Sequence, residues 1–218
     1  MRTSVPTISP STASPAVRLR NQPVQARSNA RVESLLDAAA AIVDEIGYER
    51  LTTALVAERA GASIGTLYRY YPDRLSVLYA LRGRLIERLE RRFDDELDMS
   101  GVVDIAAWVR TAVAVSVSMY QTEPGFRAVH FGDPIEEEVK GYAGHSDGVV
   151  ATYLVDRYLA AHPGGDRDEL IFHAEVAVEL ADALISRAFS TGITTPDERF
   201  VAAAITLATN YLTDHFAG

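Results

Sequence analysis

Apolar positions along the chain recur every three or four residues, and no stretch alternates with the period of a strand. Val32, Leu35, Leu36, Ala39, Ile42, Val43 and Ile46 predict an amphipathic helix of about four turns from Arg31, stopped by Gly47. Thr52 is placed to cap a short second helix over Thr53 to Ala60, Gly61 to supply a left-handed turn, and Ser63 to cap a third helix that Pro72 ends. A long helix follows from Asp73 to about Met99. Its last turns are dense in charge (Glu87, Arg88, Glu90, Arg91, Arg92, Asp94, Asp95, Glu96), which predicts a solvated face with i to i+4 pairs. Val102 to Gln121 is apolar nearly all round and predicts a helix buried on most sides. After Glu123-Pro124-Gly125 and a short segment, Phe126 to Phe131, the pattern is helical from Asp133 to Ala161, with Gly141, Gly144 and Gly148 leaving room for a kink or loop. His162-Pro163-Gly164-Gly165-Asp166 is a clear break, and two last helices are expected over about Asp168 to Ser190 and Pro196 to His215.

The fold class that follows is all-α. Three domains are expected: a disordered basic arm over residues 1 to 28, a three-helix unit with a helix-turn-helix over 29 to 80, and a helical domain over 81 to 218 for effector binding and dimerisation. The arm holds four prolines among Ser and Thr, with Arg2, Arg18, Arg20 and Arg27 and not one acid, too little apolar surface to fold.

Composition narrows the chemistry. The chain has 218 residues and no cysteine, which excludes disulfide scaffolds and every thiolate-based metal or catalytic site. No apolar run reaches the length of a membrane span and no signal peptide is recognisable, so a cytoplasmic protein with no membrane partner is expected. The net charge of −9 is unevenly spread: residues 1 to 81 carry nine Arg against seven Asp or Glu, and the acidic excess lies beyond. An anion-binding surface belongs in the first third.

Within that third, Thr53 to Arg74 meets the steric demands of a helix-turn-helix, with Ala57 small where the helices touch and Val56, Ala60, Ala62, Ile64 and Leu67 as an internal wedge. On a wheel with Leu67 inward, Gly65 and Arg69 lie almost opposite, Thr66 and Tyr68 flank them, and Ile64 and Tyr70 sit nearer the core. A glycine, a hydroxyl, a phenol and a guanidinium suit close groove approach, phosphate contact and base-edge hydrogen bonding, and no carboxylate opposes them.

The stretch from Arg31 to Gly47, continued by Leu51-Thr52-Thr53-Ala54-Leu55-Val56-Ala57-Glu58-Arg59-Ala60-Gly61-Ala62-Ser63-Ile64-Gly65-Thr66-Leu67-Tyr68-Arg69-Tyr70-Tyr71-Pro72-Asp73-Arg74, resembles the DNA-binding domain of the TetR family of bacterial repressors. The likeness covers about residues 30 to 80 and is sharpest at Gly65-Thr66-Leu67-Tyr68 with Tyr70 and Tyr71 behind. It implies an all-helical homodimer whose first three helices read an operator in double-stranded DNA, and a divergent C-terminal domain that binds a small-molecule effector. It places recognition-helix roles on Ile64, Gly65, Thr66, Tyr68, Arg69 and Tyr70, and a phosphate-binding role on Arg74, where the family more often has lysine. Thr52, Thr53 and Ser63, at the starts of the two short helices, complete the expected DNA-contact set.

The remaining chemistry is sparse. The histidines His130, His145, His162, His173 and His215 show no i, i+3 or i+4 pairing, so no metal site is expected; Glu175, Glu179 and Asp182 share a helix face and predict a solvated or interfacial stripe. No nucleotide fingerprint or nucleophile motif is present, so no catalytic residue and no cofactor is assigned. The competing reading is a helical small-molecule-binding protein or enzyme that does not regulate transcription. Trp108, Tyr120, Phe126, His130, Phe131, Phe172 and His173 are the expected effector-binding residues, grouped by an over-apolar helix and its aromatic neighbours. The last helix offers Phe200, Val201, Ala204, Leu207, Ala208, Tyr211 and Leu212, and the one before it Leu170, Val176, Ala177, Leu180, Leu184 and Ile185, as a dimer face shared with, or lost to, core packing.

Overall fold

The structure, a computed structural model, describes residues 22–97, 104–128, 148–189 and 195–216. Among them every regular element is helical: α1 (Gln22–Ile46), α2 (Thr53–Arg59), α3 (Ile64–Tyr70), α4 (Arg74–Glu96), α5 (Ile105–Thr122), α6 (Val149–Ala161), α7 (Arg167–Ala188) and α8 (Glu198–Phe216), with one-turn 3-10 segments at Tyr48–Arg50 and Phe126–Ala128.

The first boundary differs from expectation. α1 begins at Gln22, so residues 22–28, assigned by composition to the arm, are its opening two turns. A proline in a first turn is harmless, because its missing N–H is one of the donors that a helix start leaves unpaired anyway. Residues 1–21 lie outside the described residues.

Local chemistry sets the next starts. The Thr52 hydroxyl accepts from Leu55 N at 3.2 Å and the Ser63 hydroxyl from Thr66 N at 3.1 Å. Asp73 and Ser76 cap α4 reciprocally, Ser76 N donating to Asp73 Oδ1 at 2.8 Å and Asp73 N to Ser76 Oγ at 3.2 Å. Between α2 and α3, Gly61 adopts φ +58°, a left-handed turn that a side chain would resist. Val56, Ala57 and Leu67 are buried where α2 packs on α1 and α3 on α2.

α4 ties the two ends of the molecule together. Val77, Leu78 and Leu81 pack beneath the helix-turn-helix, and Leu85, Leu89 and Phe93 continue the same buried face into the C-terminal helices. The expected boundary at residue 80 therefore falls inside one helix and one continuous core. Arg84, only 6% exposed, reaches Asp37 at 2.7 Å and Glu33 at 3.3 Å on α1.

The charged end of α4 is solvated at Glu87, Arg91, Asp94, Asp95 and Glu96, as its spacing predicted, but its ion pairs run to other helices and not along its own. Arg88 and Arg92 both reach Glu123 past the end of α5, at 2.8 and 2.9 Å, and Arg92 also donates to Ser118. Asp94 accepts from Tyr153 and Arg157 of α6. These arginines and Asp94 join helices, and the partners lie too far along the chain for a short-range spacing rule to find them.

α7 and α8 pack along each other, with α6 on α7 and α5 on α8. Ala177, Ile185, Ala204, Ala208 and Leu212 are consumed by this packing. Phe172, Leu180 and Leu207 remain outside it, Phe172 at 56% and Leu207 at 47% exposure. No described helix is long and apolar enough to cross a membrane.

Candidate nucleic-acid interface

α3 is seven residues long and holds its place through Leu67, which is fully buried. With that residue inward, Gly65, Tyr68 and Arg69 are exposed, and Thr66 is half-buried. Ile64 departs from the expected wedge: it is 42% exposed, because it sits about 60° round the helix from Leu67 in the opening turn. Tyr70 is half-buried, at the edge facing α1.

Each outward group is positioned by a neighbour. Thr66 Oγ1 lies 2.9 Å from Ser63 Oγ, and the Tyr68 hydroxyl 3.4 Å from Thr53 Oγ1, which joins the starts of α2 and α3 into one polar edge. Arg69 donates to the Tyr70 hydroxyl at 2.9 Å, with its guanidinium 5.0 Å from the Tyr70 ring centre. That hydroxyl is also 3.2 Å from Ser28 Oγ of α1. The bond with Ser28, then that with Arg69, holds the Tyr70 phenol below its ordinary pKa, and the charges of Arg69 and Arg31 act in the same direction. Sequence reasoning missed Ser28 and Arg31 as neighbours of α3: Ser28 fell in the expected arm and is helical only because α1 starts earlier, and the approach of Arg31 to Tyr70 is a tertiary contact that spacing does not show.

Gly65 is informative by what surrounds it. A Cβ built there would meet only Ser63 Oγ, at 4.0 Å, so nothing within the chain requires a glycine. A glycine inside a helix costs about 0.5–1 kcal/mol relative to alanine. The bare backbone it leaves on the outward face suits the approach of another molecule.

Arg74, expected on phosphate, opens α4 half-buried and donates from Nη2 to the Tyr48 carbonyl at 3.0 Å. Arg59 on α2 is committed to Glu45, at 2.6 and 2.5 Å, so α2 contributes no unpaired guanidinium. Thr52 and Ser63 are exposed and Thr53 half-buried, with the hydroxyls of Thr52 and Ser63 already serving as caps.

The expected effector residues do not form one group. Trp108 lines a partly open cavity of about 70 Å3 between α4, α5, α6, α7 and α8, together with Phe93, Val113, Leu154, Ile185 and Leu212. Tyr120 and Phe126 sit beside it: their rings meet edge-on at 5.3 Å, Tyr120 stacks on Phe189 at 5.2 Å, and the Tyr120 hydroxyl donates to Asp182 at 2.9 Å. Asp182, read from sequence as part of a solvated or interfacial stripe, borders the cavity. Phe172 points to solvent. His173 belongs to a separate cluster, with Tyr211 OH 2.9 Å from Nδ1 and the His215 ring centre 4.0 Å away. His130 and Phe131 lie outside the described residues. The cavity walls from α4, α6 and α8 carried no sequence signal beyond ordinary core periodicity.

The cavity and α1 are joined at the turn after α5. Gly125, at φ +80°, donates to Asp44 of α1 at 3.3 Å, and a Cβ there would lie 3.2 Å from the Ala40 carbonyl. Arg127 donates from Nε to the Tyr120 carbonyl at 2.6 Å and covers Phe189.

Comparisons with known proteins agree with this architecture. Residues 35–81 match the family described as bacterial regulatory proteins, tetR family, and residues 104–216 the tetracyclin repressor-like C-terminal domain. The chain is 42% identical over 64 residues to the HTH-type transcriptional repressor KstR of Mycolicibacterium smegmatis, covering 29% of this chain and 31% of that protein. KstR of Rhodococcus jostii is 41% identical over 68 residues, 30% and 32% of the two chains. These matches span about a third of the curated relatives' length. A TetR-family transcriptional regulator from Streptomyces coelicolor superposes with a TM-score of 0.70 at 30% identity, over 86% of this chain and 98% of that one. The fatty acid degradation regulator FadR of Bacillus halodurans shares the fold, with a TM-score of 0.58 at 15% identity over 82% and 94%.

Proposed function

Because the chain belongs to the TetR family of bacterial regulatory proteins, we propose that it is a sequence-specific DNA-binding transcriptional regulator that represses its target genes. The observation that carries this is the outward face of α3, where Gly65, Thr66, Tyr68 and Arg69 stand together and Arg69 is the sole charge between residues 60 and 72. Arg69 has the reach to fork onto guanine O6 and N7, and hydroxyls at the starts of α2 and α3 suit phosphate oxygens.

The protein acts in the cytoplasm as a homodimer on a palindromic operator, since a two-fold assembly presents two α3 helices to two half-sites. Phe172, Leu180 and Leu207, left outside by the α7 and α8 packing, supply the apolar face for a four-helix interface. A small hydrophobic effector in the cavity releases the DNA, and does so only by binding the released conformation more tightly than the DNA-bound one.

Selection of genomic fragments followed by titration at several salt concentrations tests the reading. A palindromic fragment should be enriched and bound by a dimer, with log K falling linearly against log salt. Failure to enrich any fragment would favour the helical binding protein or enzyme instead.

A further inference from the structure

We propose that the cavity takes an uncharged, mainly apolar molecule bearing a hydrogen-bond-accepting oxygen, a ketone or ester and not a carboxylic acid, with the Trp108 indole N–H as the donor that recognises this oxygen. The inference rests on the reading of the cavity as an effector site and adds the chemistry of what fills it.

Trp108 is 7% exposed and borders the cavity, and its Nε1 has no acceptor within the protein. A buried indole N–H ordinarily finds a partner, and leaving one unmade costs about 1–3 kcal/mol. The other polar groups in the wall differ in kind. The Ser116 hydroxyl spends its proton on the Ala112 carbonyl at 3.0 Å, and Asp182 accepts from Tyr120. Among the described lining residues the unpartnered buried donor is therefore the indole N–H of Trp108, and its complement on a ligand that reaches it is an acceptor.

Charge decides which acceptor. Among the described lining residues there is no Lys, Arg or His, whereas Asp182 brings a carboxyl group to the same wall. A carboxylate buried there would leave water without a cation in the wall to meet it, a penalty of several kcal/mol that a neutral carbonyl does not incur. Shape narrows it further. Trp108 and Ser116 both line the space and lie eight residues apart on α5, about 12 Å along the axis. The volume of about 70 Å3 is well below the roughly 150 Å3 of a cavity that accepts benzene. A small space lined along two turns of α5 suits a slender chain better than a bulky ring.

The chain has one tryptophan, so its emission reports on Trp108 alone. Full-length protein is titrated with 2-octanone, n-octane and octanoate near neutral pH, by emission and by calorimetry, and the calorimetry is repeated on Trp108→Phe, which keeps an aromatic ring and loses the donor. The expected result is saturable binding of 2-octanone with a red shift of the emission, binding about five- to tenfold weaker in Trp108→Phe, and octanoate at least tenfold weaker than the ketone in the wild type. The wild-type ranking decides even where the variant is poorly folded. Octanoate binding as tightly as the ketone overturns the inference and leaves the effector reading standing. Equal ketone affinity in a folded Trp108→Phe also overturns it, because the indole would then be satisfied by something other than the ligand. If no probe binds, this inference and the effector cavity fall together, and operator binding, measured in parallel, stands apart from both.

Discussion

Replacing Gly65 with alanine should make the protein more stable and a worse DNA binder. The added Cβ meets nothing nearer than Ser63 Oγ at 4.0 Å, an ordinary van der Waals contact, and Gly65 has no positive φ to strain. The substitution should therefore recover most of the helix-propensity difference, about 0.5–1 kcal/mol. For a chain of this size that is a rise in Tm of about 1–4 °C. On the proposed interface the same methyl group would intrude where the backbone of α3 approaches the groove and would displace Thr66 and Arg69 from the contacts proposed for them. A loss of the order of one base-edge contact, about 1–3 kcal/mol, is about 5- to 150-fold in affinity. Thermal melts by circular dichroism and titration of a selected operator fragment read the two effects separately. A raised Tm with unchanged operator affinity would refute the reasoning, since Gly65 would then be an idle surface position; a lowered Tm would refute the packing around it.

Gly125→Ala should act oppositely, destabilising by about 1–3 kcal/mol, because its φ of +80° strains any side chain and a Cβ would crowd the Ala40 carbonyl at 3.2 Å; an unchanged Tm would contradict that contact. Leu207→Asp, at a position outside the subunit's own core, should keep its helical circular dichroism while sedimenting as a monomer and losing operator binding, and a variant that stays dimeric removes α8 from the interface. Tyr153 is held at a pKa of about 12, first by burial and then by its hydrogen bond to Asp94, so the folded state keeps its proton after the unfolded chain has begun to lose its own. The stability it contributes is intact below about pH 10 and lost between about pH 10 and 12. Urea denaturation across that window should decline less steeply in Tyr153→Phe, and parallel slopes would exclude the assignment.

What the sequence made legible was the chemistry that acts over a few residues. Thr52, Ser63 and Asp73 announce helix starts because a cap is a bond three residues long, and Gly61 announces a turn because its conformation excludes most side chains. The outward set on α3 follows from the single inward Leu67. Long-range pairing left no such trace. Arg88 and Arg92 meet Glu123 more than thirty positions on, so the spacing along α4 pointed to partners on its own helix, and the solvated or interfacial reading of Asp182 left its bond from Tyr120 unforeseen. Trp108 was recoverable because α5 is apolar beyond the needs of one buried face. Phe172 was not, because neighbouring aromatics in sequence point about 100° apart on a helix, and α7 turns this one to solvent while burying His173. The start of α1 escaped because no apolar period precedes Arg31.

The central claim is that α3 reads base edges, and the most direct measurement is the base-preference profile of the wild type beside that of Arg69→Ala, by sequencing bound members of a randomised operator library. Arg69→Ala should keep the rest of the operator motif but lose its guanine preference at one position per half-site, a relaxation of about 1–3 kcal/mol there. A variant profile superimposable on that of the wild type, at equal affinity, would contradict it.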